Sequence, residues 1–167
     1  MTPATTFVAL GANLDDPVAQ VTAAFDELAA LPRTRLLQRS SLYRSVPVGY
    51  HEQPDFINAV AQLETALTPR AVLDALLVIE QRHGRVRTFR NAPRTLDLDL
   101  LLYDDWQYHE SGLTLPHPLM HERAFVLAPL AEIAPQAQIP NHGTVTDLLR
   151  ALDSGGVARL AEAPSLP

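Results

Sequence analysis

The chain has 167 residues, enough for one domain to bury a core without disulfides or a structural metal. It contains no cysteine, which excludes thiolate zinc sites, iron–sulfur clusters and cysteine nucleophiles. Thirteen basic against nineteen acidic side chains leave a net charge of −6, a poor footprint for general binding to nucleic acid or anionic lipid.

All thirteen basic residues are arginine. A P-loop needs a lysine beside its glycines, and Schiff-base chemistry needs a lysine amine, so both routes are closed. The first ten residues carry neither a basic region nor a long apolar run, so no signal peptide or membrane span is expected, and the cytoplasm is the expected location.

In chain order, Thr6–Leu10 reads as a short buried strand, with Gly11, Ala12 and Asn13 as a turn after it. Asp16-Pro17 opens a helix to about Ala30, with Val18, Val21, Ala24, Phe25 and Leu28 as its apolar stripe. Leu36–Tyr43 is a second strand, Ser45–Pro54 a loop and Phe56–Leu63 a third strand. Thr68-Pro69 starts a helix through Ile79 that ends near Gly84. A loop from Arg85 to Arg94 precedes the most apolar strand, Leu96–Tyr103. Glu122–Ile133 reads as a helix that Pro129 must bend or break, and Thr146–Leu152 as a short last helix. A single domain over 1–153 and a loose tail over 154–167 are expected. The order β-α-β-β-α-β is that of a ferredoxin-like α+β fold, an antiparallel sheet with its helices on one face and helical additions at the C-terminus.

Two neighbouring features carry chemistry. Arg82, Arg85, Arg87, Arg90 and Arg94 concentrate fixed positive charge in one loop of an acidic chain. Guanidinium forks match phosphate oxygens two at a time, although a solvated charged loop has the same composition. Directly after it, Asp97 and Asp99 alternate with leucines, so both carboxylates share one strand face, roughly 6.5–7 Å apart by strand rise. That spacing suits joint binding of two magnesium ions in phosphoryl chemistry. Like charges on one face of an apolar strand are otherwise unfavourable. His117, in the turn Leu115-Pro116-His117-Pro118, is a candidate phosphate donor or acid–base group, although a satisfied, partly buried imidazole is the commoner use of a lone histidine. Phe56 and Asn58 share a strand face and offer a ring to stack on and an amide to read a heterocycle edge, but an ordinary core aromatic and a strand asparagine fit the pattern too.

Taken together, Phe7-Val-Ala-Leu-Gly-Ala-Asn-Leu14, Ser41-Leu-Tyr-Arg-Ser45, Gln53-Pro-Asp-Phe-Ile-Asn58, Gly84-Arg-Val-Arg87, Pro93-Arg-Thr-Leu-Asp-Leu-Asp-Leu100, Leu115-Pro-His117 and Arg123-Ala-Phe125 resemble the 6-hydroxymethyl-7,8-dihydropterin pyrophosphokinases of folate biosynthesis. The resemblance runs in order to about Pro140. It implies transfer of a pyrophosphoryl group from ATP to the hydroxymethyl oxygen of the pterin, with release of AMP. It further implies that Asp97 and Asp99 hold two Mg2+ ions and that Arg85 and Arg94 grip phosphate. Glu80, Leu100, His117 and Arg123 fall on the nucleotide side, and Ser45, Val46, Val48, Phe56, Asn58 and Phe125 on the pterin pocket.

The sequence departs from the family pattern in an arginine loop one residue shorter, with Asn91 where some members have tryptophan. Pro118 stands for a tyrosine, and Ser45 for a threonine. A monomer is expected, with no nucleic-acid or membrane partner. The competing readings are a two-metal nucleotide hydrolase, which consumes ATP without a pterin, and a non-catalytic ferredoxin-like binding module, which needs no metal.

Overall fold

The computed structural model describes residues 2–47, 52–84 and 95–160. The elements run β1 (Ala4–Ala12), α1 (Pro17–Ala29), β2 (Thr34–Arg39), β3 (Tyr43–Ser45), β4 (Phe56–Thr65), α2 (Pro69–Arg82) and β5 (Asp97–Tyr103). There follow a hairpin of β6 (Tyr108–Glu110) and β7 (Leu113–Leu115), a 3-10 turn (Met120–Glu122), α3 (Ala124–Ile133), β8 (Gln138–Ile139), β9 (Gly143–Thr144), α4 (Val145–Ala151) and β10 (Val157–Arg159).

Both major helices start as their sequences dictate. Asp16 accepts from the Ala19 N–H at 3.3 Å and Thr68 from the Ala71 N–H at 3.2 Å, each followed by proline, whose missing N–H costs nothing in the first turn. Of the predicted α1 stripe, Val21, Ala24, Phe25 and Leu28 are buried, while Val18 is exposed.

The main sheet has the order β10-β3-β4-β1-β5, with β2 also on β4, and every pairing is antiparallel. This is the ferredoxin-like arrangement, in which β1 and β4 are the central strands. The expected second strand, Leu36–Tyr43, divides into β2 and β3. At the break the Ser40 N–H donates to the Val60 carbonyl and the Val60 N–H donates to Ser40 Oγ, each at 2.9 Å. A hydroxyl thus takes the place of a carbonyl in the ladder.

Strand alternation sorts the sheet residues onto two faces. Val8, Leu10 and Ala12 of β1, Ile57, Ala59, Ala61 and Leu63 of β4 and Leu98 and Leu100 of β5 join α1 and α2 in one core. Phe7, Ala9, Val60 and Leu102 face the other way and pack with Val126, Leu127 and Leu130 of α3 and Val145 of α4. The two helices of the ferredoxin-like core thus cover one face, as expected, and the C-terminal additions α3 and α4 cover part of the other. The apolar positions of β1 and β4 are nearly continuous because both sides of these strands are buried.

The sequence-based boundaries need three further corrections. Gly11 and Ala12 are not a turn: β1 continues through them, paired with β4 to Ile57 and with β5 to Asp97. Pro129 lies within α3, which continues to Ile133, since a proline here removes only the bond toward the Phe125 carbonyl. The segment expected to be a loose tail supplies β10, which pairs with β3.

Candidate active site

On its second face the sheet is covered only in part. Packing by α3 and α4 buries Phe7, Val60 and Leu102, but toward the other end of the strands the same face opens into a cavity of about 800 Å³. The register explains what lines it. Gly11 lies opposite Asn58 on one side and Asp97 on the other, and Ala9 lies opposite Val60 and Asp99. The central strand thus contributes small residues between an amide and two carboxylates.

A Cβ built on Gly11 would meet Asn58 Nδ2 at 3.1 Å, so the missing side chain makes room for the Asn58 amide. Asn58 is itself buried, and its Oδ1 accepts from Ser45 Oγ. Ser45 sits opposite Phe56 in the β3–β4 register. One end of the cavity is therefore walled by Ser45, Val46, Phe56, Asn58 and Phe125, a combination of flat apolar surfaces and a fixed amide.

The other end carries charge. Asp97 and Asp99, His117, Glu122 and Arg123 all line it. Arg123 Nη1 stands 3.9 Å from Asp99 Oδ2, and its guanidinium carbon lies 5.6 Å from the centre of the Phe125 ring, so this arginine bridges the two ends.

His117 is held from both directions. Its backbone N–H donates to the Leu101 carbonyl at 2.9 Å, and its Nδ1 accepts from the Leu119 N–H at 3.1 Å. In the neutral ring the proton then resides on Nε2, which makes that atom a donor. Burial pushes the imidazole pKa down to about 4, the Arg123 charge adds to the effect and Asp97 opposes it. The ring is accordingly neutral at physiological pH, and it can donate to a phosphate oxygen without adding charge to the site.

The predicted site residues distribute as follows. Ser45, Val46, Phe56, Asn58, Asp97, Asp99, His117, Arg123 and Phe125 meet in this one cavity. Glu80 is buried at the back of β5, where its Oε2 accepts from the Leu98 N–H at 2.7 Å and fixes the strand that carries both aspartates. The Leu100 side chain is buried in the α1–α2 core, on the opposite face of β5 from the aspartates. Val48, Arg85 and Arg94, like the rest of the arginine loop from 85 to 94, lie outside the described residues.

Three contributors escaped the sequence reading. Gly11 is one; its signal was a glycine directly following the apolar run Phe7–Leu10. Asn13 is another: it is buried, and its Nδ2 donates to Gln53 Oε1 at 2.6 Å and to the Pro54 carbonyl at 3.0 Å, tethering the chain that leads into β4. The third is the C-terminal segment, of which Asp153, Gly156 and Val157 line the cavity.

The carboxylate pair fits a hard cation. Both donors are oxygens, both line the cavity, and no group of three or more His, Cys, Asp or Glu side chains suited to a metal occurs among the described residues. Two protein carboxylates with the remaining positions left to phosphate and water is the ligand set magnesium favours over a closed protein cage.

Comparison with known proteins places this geometry. A sequence model of the 7,8-dihydro-6-hydroxymethylpterin-pyrophosphokinase family matches residues 7–135. A 2-amino-4-hydroxy-6-hydroxymethyldihydropteridine pyrophosphokinase of Haemophilus influenzae is 47% identical over 146 residues, covering 87% of this chain and 91% of its own. The pyrophosphokinase of the same name from Pseudomonas aeruginosa is 47% identical over 154 residues, covering 92% and 95%. Among solved structures, an HPPK-DHPS in complex with substrates superposes with a TM-score of 0.71 at 12% identity, over 90% of this chain and 43% of that one. At that identity the superposition speaks to the fold alone, and the chain spans less than half of that solved protein.

Proposed function

The chain belongs to the 7,8-dihydro-6-hydroxymethylpterin-pyrophosphokinase family, and from that membership we propose how its cavity divides the work of the reaction. The reaction is transfer of pyrophosphate from ATP to the hydroxymethyl oxygen of 6-hydroxymethyl-7,8-dihydropterin, which yields AMP and the pterin diphosphate for folate synthesis. The observation that carries our reading is the cross-sheet row Asn58–Gly11–Asp97. It sets a heterocycle-reading amide two strand spacings, about 10 Å, from a phosphate-side carboxylate.

In this reading Phe56 and Phe125 cover the faces of the pterin, while Asn58, Ser45 and Val46 hold its edge. Its hydroxymethyl group then points along the row toward Asp97 and Asp99. The hydroxyl oxygen attacks the β-phosphorus, the bond from that phosphorus to the bridging oxygen of the α-phosphate breaks, and AMP leaves while the hydroxyl proton passes to solvent. His117 Nε2–H and the Arg123 guanidinium donate to phosphate oxygens. Asp97 and Asp99 are the residues that would hold Mg2+; when bound, two such ions would neutralise the charge that develops on the phosphates. Arg85 and Arg94 are assigned to the same phosphates on their sequence positions. Among the described residues of the cavity none is an obvious strong base; Asp97 is the candidate, but holding Mg2+ would lower its basicity, so catalysis rests on positioning and charge neutralisation.

Rings, amide and carboxylates all come from one chain, so we read the enzyme as a monomer and a single domain. No helix of the described residues is long and apolar enough to cross a membrane; the cytoplasm is our proposed place of work for the enzyme.

The test is product analysis after incubation with ATP, Mg2+ and the pterin. AMP appearing in step with pterin diphosphate, and lost in Asp97→Ala, is the expected result. Release of ADP, or ATP consumption that ignores the pterin, would overturn the reading in favour of an ordinary kinase or a nucleotide hydrolase.

A further inference from the structure

The family match ends at residue 135, yet the cavity wall does not. Asp153, Gly156 and Val157 line the cavity beside Ser45 and Val46. The segment is fastened by backbone bonds along its length. The Val46 N–H donates to the Gly156 carbonyl at 3.0 Å, β10 pairs with β3 from Val157 opposite Ser45 to Arg159 opposite Tyr43, and the Leu160 N–H donates to the Leu42 carbonyl at 2.9 Å. A turn shapes its entry: Gly155 N–H donates to Asp153 Oδ1 at 2.9 Å and Val157 N–H to the Ser154 carbonyl at 3.0 Å.

This strand lies at the edge of the sheet, outside β3. Without it, β3 would be a three-residue edge strand leading straight into the loop after Val46. Such short edges fray, because half of their backbone groups have no partner. With it, Ser45 is paired on both sides, to Phe56 and to Val157, Val46 is bonded to Gly156, and the Ser45 hydroxyl is fixed in its bond to Asn58. Outside the cavity, Arg159 Nη2 lies 3.3 Å from Glu132 Oε2 on α3, which adds a side-chain tie to the backbone ones.

We propose that residues 153–160 are a positioning element for the pterin: they complete the wall at the heterocycle end of the cavity and hold Ser45, Val46 and, through Ser45, the Asn58 amide in the geometry that reads the heterocycle. The inference rests on the pyrophosphokinase reading and adds to it a selective effect. In the sheet order β10 lies beside β3 at the heterocycle end and four strands from β5, which carries the aspartates, so its loss weakens pterin binding and spares the nucleotide.

The experiment compares the full chain, a chain ending at Leu160, a chain ending at Leu152 and the point variant Ala158→Pro. Ala158 lies opposite Arg44 and does not line the cavity. The bonded pairs Gly156–Val46 and Leu160–Leu42 on either side make Ala158–Arg44 a bonded pair by ladder alternation, so proline there breaks the strand without touching the pocket. Calorimetric titration with α,β-methylene-ATP and Mg2+, and then with 6-hydroxymethyl-7,8-dihydropterin on the nucleotide-loaded protein, gives the two affinities separately.

The chain ending at Leu160 should match the full chain. The chain ending at Leu152 should bind pterin about tenfold more weakly, with the nucleotide affinity kept within about twofold, and Ala158→Pro should move in the same direction. Unchanged pterin affinity, or equal loss of both ligands, in the shortened chain overturns the proposal; if that chain does not fold, Ala158→Pro decides alone. Loss that already appears on ending at Leu160 also overturns it, because the effect would then belong to the residues beyond the strand. A full chain that binds no pterin at all fails the functional reading instead.

Discussion

Gly11 shows how much a single absent side chain can position. Its Cα is flanked by Asn58 and Asp97, and a methyl placed on it stands 3.1 Å from the Asn58 amide nitrogen, tighter than an ordinary contact. Gly11→Ala has no backbone objection in a β-strand, and the loss of unfolded-chain freedom stabilises by up to about 1 kcal/mol. What must give is the amide, and with it the Ser45 hydrogen bond. We expect a melting temperature close to that of the parent chain, a KM for the pterin raised about fivefold or more and a KM for ATP that hardly moves, since about 1 kcal/mol of misplaced contact has that effect on binding. Steady-state kinetics with each substrate varied in turn, beside a thermal melt, checks this; an unaltered pterin KM would show that Asn58 does not read the heterocycle. The same residue marks a limit of sequence reasoning. Asp97 and Asp99 were legible because charge is conspicuous in an apolar strand, and His117 because a turn frames it. Gly11 and Asn13 looked like a turn because glycine and asparagine are the commonest turn residues; the register with β4 and β5 reveals another use for Gly11, and the bonds to Gln53 and Pro54 another for Asn13.

At the scale of elements, α3 is tied to the sheet edge by one carboxylate. Glu132 accepts from the Ser41 N–H at 2.9 Å, from Ser41 Oγ at 2.9 Å and from the Tyr43 hydroxyl at 2.9 Å, and it pairs with Arg159. Burial first, and then the hydrogen bond to Glu132, push the Tyr43 hydroxyl up to about 12, so it remains a donor through neutral and moderately alkaline pH. The pair with Arg159 is mostly solvent-exposed on the arginine side and contributes little; the three hydrogen bonds to a half-buried charge carry the effect. Glu132→Ala strands the Ser41 N–H and the Tyr43 hydroxyl, and should cost about 2–4 kcal/mol in urea unfolding. A loss under about 1 kcal/mol would mean that water replaces the carboxylate freely and that β3 is held by its ladders alone. None of this was visible in the order of residues, because Ser41 and Glu132 are far apart in the chain. By contrast, the helix starts at Asp16-Pro17 and Thr68-Pro69 and the strands around Thr6–Leu10, Phe56–Leu63 and Leu96–Tyr103 followed from local signals: caps, prolines and apolar runs. The divided second strand and β10 did not, since a serine hydroxyl in the ladder and a short exposed edge strand leave no periodic pattern. The helices on the second face were anticipated as additions, but their placement depends on which side of β1 is left uncovered, a property of the whole sheet.

The whole molecule is acidic, and its cavity is acidic too. At its phosphate end Asp97, Asp99 and Glu122 stand against Arg123 and an uncharged His117 among the described residues. The arginines at 85, 87, 90 and 94 stand just before these aspartates in the sequence, but the chain as a whole remains at −6. A triphosphate entering such a cavity meets carboxylates of its own sign, and at short range within a partly dry site like charges repel strongly. A divalent cation held by Asp97 and Asp99 would reverse the sign of the interaction there, since hard oxygen donors on the protein and on the phosphates could share it. Nucleotide affinity should therefore depend on magnesium more steeply than on any one arginine. Titration of α,β-methylene-ATP in excess Mg2+ and again in EDTA should show affinity falling by about a hundredfold, close to 2.7 kcal/mol, when the cation is removed. In Asp97→Asn/Asp99→Asn the affinity in EDTA should rise, because the repulsion is gone, while the gain from Mg2+ nearly vanishes. Equal affinities in Mg2+ and EDTA for the parent chain would sink the cation assignment, and would leave the aspartates a role in orienting Arg123 alone.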